Sequence, residues 1–161
     1  MLDQLAAATA QWSSLYSNHA ALRTAVVFAH VGSLVGAGGC AIAADRTMLF
    51  ALRRDPAGRR QQLEALAGTH RVVIAGLVCI VISGLLLFAA DVHTFLYSRI
   101  FWTKMTLVVL LLVNGAVLTS AERGASRGDT GSWNRLRATA VVSLTLWFLI
   151  TLAGVALTNV G

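Results

Sequence analysis

Four long apolar runs constrain the fold of this chain more than any other feature of its sequence. They lie at residues 25–44, 72–90, 101–120 and 138–158. Each run approaches the ~20 residues that an α-helix needs to cross about 30 Å of hydrocarbon. Helices are required because lipid cannot satisfy unpaired backbone groups, and the alternating polarity of membrane β-strands is absent. The sequence therefore predicts an all-α polytopic membrane protein, an antiparallel bundle of four transmembrane helices that forms a single domain over residues 1–161.

The low content of charged residues supports a lipid environment. Charged residues make up 12% of the chain and hydrophobic residues 57%, whereas a soluble domain has about 25% charged residues. The lipid bilayer is therefore the first expected partner. Nucleic acid is not expected, because the basic segments lack interleaved aromatic residues and a known binding motif. A soluble type of catalysis is not expected either, because phosphate-binding, paired-cysteine and nucleophile–base motifs are absent.

The distribution of positive charge predicts the orientation. Ten of the thirteen Lys and Arg residues lie in two segments, 45–71 and 121–137. Positive residues collect in short cytoplasmic loops, so we expect both segments in the cytoplasm of a bacterial inner membrane and both termini in the periplasm. The first segment should be helical on either side of a break at 55–58. The aromatic residues expected at the outer interface are Trp12, Tyr16, Tyr97 and Trp102, and Trp133 is expected at the inner one.

The first apolar run has two different faces. Gly32, Gly36 and Gly39 fall on one side of a helix and form a stripe of small residues. Such a stripe packs against a neighbouring helix of the same chain, forms the seam of a homo-oligomer, or contacts another subunit of a larger membrane complex. His30 falls on the opposite side, so we expect this helix to be central and covered by protein on both faces.

Two ionisable residues fall inside the predicted hydrocarbon region, and each needs a partner or a task. His30 and Lys104 would cost about 2.5–3.5 kcal/mol each on insertion scales. His30 is either a neutral imidazole bonded to a serine or carbonyl, or a ligand. Lys104 either extends to the outer interface beside Trp102 or shares a site with His30. Together with His93 and Asp91, at the outer end of the second run, they define a hypothetical outward-facing polar pocket.

The chemistry of this hypothetical pocket suits a metal or a haem. Imidazole and carboxylate groups bind copper or zinc, and imidazole is an axial ligand of haem. We therefore consider His30 and His93 as ligands of haem b or copper, with Asp91 as a third metal ligand. The four histidines lie at four different depths, so a bis-histidine haem within one chain is disfavoured, although two copies or another subunit can share a haem.

At the inner ends of the first two runs lie Asp45, Arg46 and His70. We interpret them as an ion-pair cluster that fixes the loop between the two helices. Asn114 in the third run and Ser143 in the fourth are interpreted as polar contacts between helices.

Three segments resemble the copper-resistance protein D-like membrane proteins. They are His30–Gly39 (HVGSLVGAGG), Phe101–Asn114 (FWTKMTLVVLLLVN) and Asn134–Leu157 (NRLRATAVVSLTLWFLITLAGVAL). The chain is also similar to uncharacterised four-helix families of the bacterial inner membrane. The copper family has more spans, a tryptophan before its glycine pair and further His or Met ligands, which this chain lacks. The resemblance therefore implies the fold better than it implies copper.

Three hypotheses about function follow. The leading one is a protein that handles haem or copper, in electron transport or metal homeostasis, through His30 and His93. The second is a non-catalytic accessory or assembly subunit that docks through the glycine stripe. The third is a small transporter component in which Lys104 binds an anionic substrate.

Overall fold

The chain is entirely helical in the part that its computed structural model describes. That part is residues 2–53 and 55–160, without the side chains of residues 2, 3, 5, 6, 56, 60, 62–64, 66, 67 and 160. Neither Arg54 nor the side chain of Arg60, both counted above as basic residues of the first segment, is among the described parts. The helices are α1 (Leu2–Asn18), α2 (Ala20–Ala51), α3 (Pro56–Ala90), α4 (Val92–Tyr97), α5 (Arg99–Ser126) and α6 (Gly131–Val160).

Four of these helices are long and apolar enough to cross a membrane. They are α2, the part of α3 from Gly68 onward, α5, and α6 as far as Asn159. Each contains one of the four predicted apolar runs, so the prediction of an all-α four-helix membrane bundle is confirmed. Large apolar side chains point away from the bundle, as Phe28 (75% exposed), Val35 (68%) and Phe148 (67%) do. An apolar exterior of this kind is stable in lipid and not in water, and the chain is an integral membrane protein.

The two arginine-rich connections lie at one end of the bundle, which we call the basic end. The first interrupts the helices a few residues before the predicted break at 55–58: α2 ends at Ala51 and α3 begins at Pro56, where the missing N–H of proline costs no hydrogen bond. The second connection turns through Gly128, whose φ of 91° favours glycine. Asp129 then starts α6 by accepting hydrogen bonds from the Gly131 N–H (3.0 Å) and the Ser132 hydroxyl (2.6 Å). These hydrogen bonds lower the pKa of the Asp129 carboxyl.

The opposite end, which we call the aromatic end, contains two helices that the sequence analysis did not predict. α1 docks on α3 because Trp12 Nε1 donates to the Leu86 carbonyl and the Ser13 hydroxyl donates to the Ala90 carbonyl, both at 2.8 Å. The one sequence signal for α1 was the spacing of Trp12 and Tyr16, whose rings lie 6.1 Å apart on one face. α4 is a short helix that follows α3 directly.

The four spanning helices are arranged in the spatial order α3, α2, α6, α5. α2 packs extensively on α3 and also on α6, and α5 packs extensively on α6, whereas α3 and α5 barely touch. No close backbone approach joins α2 to α5 or α3 to α6 in the described part of the chain. The bundle is therefore an arc of helices with a gap between α3 and α5.

Two glycines allow the close packing around α2, and neither belongs to the predicted stripe. A methyl group on Gly76 of α3 would lie 2.4 Å from the Cβ of Ala37 in α2. A methyl group on Gly38 of α2 would lie 3.0 Å from the indole ring of Trp147 in α6. A side chain at Gly76 therefore requires α2 to move, whereas one at Gly38 requires a small shift of the Trp147 ring.

The predicted glycine stripe faces outward instead. A methyl group on Gly36 or Gly39 would meet nothing within 4 Å, and one on Gly32 would meet only Phe28 of the same helix. The interpretation that this stripe packs against another helix of the chain is wrong, and so is the expectation that protein covers both faces of α2. The helical period identifies which residues share a face, but it does not tell whether lipid or protein covers that face.

We expect Gly76→Ala to destabilise the protein and Gly36→Ala to leave its stability undiminished. The added methyl group at Gly76 must push α2 and α3 apart at Ala37, which should cost about 1–3 kcal/mol. Unfolding in detergent, followed by circular dichroism, measures both variants against the wild type. Equal stabilities of the two variants would contradict the close contact of α2 with α3.

Candidate functional site

The gap between α3 and α5 contains a cavity of about 290 Å³ in the half of the bundle toward the basic end. All four spanning helices line it, mostly with apolar side chains such as Leu77, Leu111 and Trp147. Ile74 and Leu112 also line it and are 59% and 48% exposed on the outside of the bundle. The cavity therefore opens sideways, between α3 and α5, toward the lipid. Its polar lining side chains are Asp45, Thr69, His70, Asn114, Thr119, Glu122 and Ser143.

The gap is bridged at both of its ends. Toward the aromatic end, the rings of Phe88 in α3 and Phe101 in α5 stack at 5.5 Å, and Phe95 of α4 packs on both. Toward the basic end, His70 Nε2 of α3 lies 3.5 Å from a carboxylate oxygen of Glu122 in α5, an ion pair when the imidazole is protonated. The lateral opening lies between these two bridges.

Asp45 is the most unusual residue of the cavity. Only 5% of the residue is exposed, and the Ser143 hydroxyl lies near its carboxyl group. Its Oδ2 atom is buried without a hydrogen-bond partner in the described residues. Such an atom costs about 1–3 kcal/mol, and buried polar atoms are so rarely unpaired that each one needs an explanation.

The inner cluster differs in one member from the prediction. Asp45 and His70 both line the cavity, but Arg46 points away and places its guanidinium 5.6 Å from the ring centre of Phe50. The prediction that Arg46 belongs to this cluster is therefore wrong. Its place is taken by Glu122, whose charge acts on Asp45 together with that of His70. Sequence reasoning missed Glu122 because it lies two residues beyond the predicted third span, although its depth matches that of Asp45 at the end of the first.

A second polar group, toward the aromatic end, joins His30 of α2 to Ser83 of α3. His30 Nδ1 and the Ser83 hydroxyl oxygen are 3.0 Å apart. When the serine donates its proton to the Cys79 carbonyl, 2.6 Å away, it accepts from His30, which in that arrangement carries its proton on Nδ1. Ser83 is thus the serine partner that the sequence analysis considered for His30.

Lys104 lies against the bundle close to this histidine. Its ammonium group lies 3.6 Å from the position that a Cβ would have on Gly154 of α6, and its charge acts on His30. No carboxylate of the described residues is within ion-pairing distance of Lys104. The two ionisable groups that the sequence places in the hydrocarbon therefore lie near each other.

The rest of the hypothetical metal pocket does not assemble. The exposed ring of His93 packs at 4.8 Å against that of Tyr97, and Asp91 accepts a hydrogen bond from the Thr94 N–H at 3.1 Å, which caps α4. Among the residues that the structure describes, no three His, Cys, Asp or Glu side chains gather into a group that could hold a metal ion. His30, His93 and Asp91 therefore do not form the predicted ligand set.

In comparisons with known proteins, no family model, no curated protein and no solved structure matches this chain. The resemblance to the copper-resistance protein D-like family stays a prediction that rests on three short segments. The function is therefore inferred from the geometry and chemistry of the cavity.

We expect Asp45→Leu to make the protein more stable. The substitution removes a buried acid with an unpaired oxygen, and the neighbouring cavity gives room to leucine, which has the same branched shape and is slightly bulkier, so the gain should be about 1–3 kcal/mol. Thermal unfolding in detergent measures it, with the exposed Asp91 changed to Asn as a control for the loss of one carboxylate elsewhere. A clear loss of stability in Asp45→Leu would mean that the carboxyl group has a stabilising partner after all.

Proposed function

We propose that this chain binds, and moves between lipid and its own interior, a small molecule that dissolves in the bilayer. The molecule enters the cavity sideways between α3 and α5. One observation carries this proposal: an opening toward lipid leads to Asp45, a buried carboxyl group whose Oδ2 atom has no partner. Apolar walls with a few converging polar groups are the usual composition of a small-molecule site.

Two costs to stability argue against the cavity as a by-product of helix packing. Protein interiors are normally packed without voids of this size, and an acid at this depth is expensive in a membrane. Local features that oppose stability concentrate at functional sites. Asp45 and the gap beside it combine two such features in one place.

Of the three functional hypotheses, the transporter component fits the geometry best, but at a different residue. The sequence analysis placed the substrate site of such a transporter at Lys104, whereas we propose it at Asp45, toward the other end of the bundle. The haem or copper hypothesis fits less well, because no three metal-ligating side chains gather among the described residues and His93 packs on Tyr97. The accessory-subunit hypothesis stays a prediction.

We further propose that the protein lies in a bacterial inner membrane with its basic end in the cytoplasm. The support is the excess of arginine in the two connections at that end. The cavity then occupies the cytoplasmic half of the bilayer, and the termini lie in the periplasm.

We expect a cysteine at position 127 to react with a membrane-impermeant maleimide in inverted vesicles and not in intact cells. Arg127→Cys lies in the second basic connection, and Asn18→Cys, at the aromatic end, is the matched control with the opposite pattern. Cys40 and Cys79 are replaced by alanine in both. Labelling of Arg127→Cys in intact cells would overturn the orientation.

We expect Gly115→Leu to close the cavity and to block entry of a membrane-dissolved probe. Gly115 lines the cavity, and a side chain there has open space in front of it. The probe is 3-phenyl-3-(trifluoromethyl)diazirine, which partitions into bilayers and forms bonds with neighbouring residues on illumination. Mass spectrometry should find it on Trp147, which is only 3% exposed, in the wild type and not in Gly115→Leu.

Two controls separate entry into the cavity from contact with lipid. Phe148, on the outside of α6, should be labelled equally in every variant because it faces the lipid. Gly36→Leu adds the same side chain at an open position outside the cavity and should leave the labelling of Trp147 unchanged. If Trp147 is not labelled in the wild type, the proposed lateral entry is wrong.

A further inference from the structure

The charges around the cavity indicate which class of molecule it accepts. We infer that the ligand is a compact organic cation with an apolar body, and that its charged group binds at Asp45. This inference rests on the proposed lateral binding site and names the ligand class of that site.

The first argument is the sign of the charge. The titratable groups that act on Asp45 are Glu122 from α5 and His70 from α3, while α6 contributes the Ser143 hydroxyl. Among the described residues that line the cavity there is no lysine or arginine. With both acids ionised, the site has a net charge of −1 when His70 is protonated and −2 when it is neutral. In a water-poor environment such a charge strongly favours a cation.

The second argument is the unpaired oxygen. An ionised carboxylate only accepts hydrogen bonds, and Oδ2 of Asp45 is buried with no donor in the described residues. A neutral apolar ligand or an anion leaves this atom unpaired. A cation beside the carboxylate compensates its charge, and the compensation is large because Asp45 is buried, with only 5% of the residue exposed.

The third argument is the composition and size of the remaining walls. Away from its polar end, the cavity is lined by side chains such as Val73, Leu77, Leu111 and Trp147, which suit a hydrocarbon or aromatic body. Its volume of about 290 Å³ lies at the small end of ligand pockets, which span roughly 300–1,000 Å³. The ligand should therefore have one ring or a short chain.

A proton is the simplest cation that could neutralise Asp45, but it does not account for the rest of the site. Protonation requires neither apolar walls nor an opening between Ile74 and Leu112 at the lipid surface. An organic cation uses all three features: the carboxylate, the walls and the lateral opening.

A pair of probes that differ only in charge tests the inference. Benzyltrimethylammonium and neopentylbenzene have the same shape, with nitrogen in the first where the second has carbon. Equilibrium binding of each radiolabelled compound is measured with the protein in lipid nanodiscs, and uptake by empty discs is subtracted. We expect the wild type to bind the cation roughly tenfold or more tightly than its neutral isostere, the factor that corresponds to one good charge contact.

Variants that each remove one carboxylate then show which residue causes the preference for the cation over its neutral isostere. Asp45→Asn should abolish it, and Glu122→Gln should reduce it. Asp91→Asn, which removes an exposed carboxylate at the aromatic end, should retain it. Asp45→Leu should abolish it as well, so a folding defect in the Asn variant would not hide the result.

The outcomes separate this inference from the proposed function. If the two isosteres bind equally and Gly115→Leu blocks the binding of both, the inference of a cationic ligand is wrong, whereas the proposed lateral site stands. A preference for the cation that survives in Asp45→Asn would also overturn the inference. If neither compound binds and Trp147 is not labelled by the diazirine, the lateral site itself is refuted.

Discussion

The structure depends on the close approach of α2 to two neighbours. Gly76 lets α3 approach α2 at Ala37, and Gly38 lets α6 approach α2 at Trp147. In lipid, such contacts replace the hydrophobic effect as the force that joins helices. Because α2 uses its two close contacts for α3 and α6, α5 is held by α6 instead. The result is an arc of four helices in place of a closed ring.

The proposed functional site follows from that arc. α3 and α5 are its two outer helices, and among the described residues Phe88 and Phe101 join them at one end and His70 and Glu122 at the other. The space between them joins the lipid to Asp45, which is buried and incompletely bonded. A closed four-helix ring would leave no room there for a ligand, and the carboxyl group would then have no evident use.

Sequence reasoning predicted much of the inner cluster, and its interpretation as an ion-pair cluster that fixes the loop stays a prediction. Asp45 and His70 were expected to lie together, and they do line one cavity. Arg46 follows Asp45 by one residue, and 100° of helical rotation turns it out of the cavity toward Phe50. Glu122 was missed because a hydropathy pattern ends a span at the last apolar residue, whereas the helix continues at the same depth. The pocket predicted for His93 and Asp91 is not formed, because the His93 ring packs on Tyr97 within the short helix α4 and Asp91 caps the start of that helix.

The sequence by itself determined that this chain is a four-span helical membrane protein, because hydropathy and helix length are properties of each segment alone. It also identified His30 and Lys104 as ionisable residues that need a polar partner in the hydrocarbon region, since the cost of burying them does not depend on which helix is adjacent. Only the tertiary structure decided which glycines are covered and which carboxyl group remains unpaired. Those facts depend on which helix faces which, and that choice is made by contacts between residues far apart in the chain.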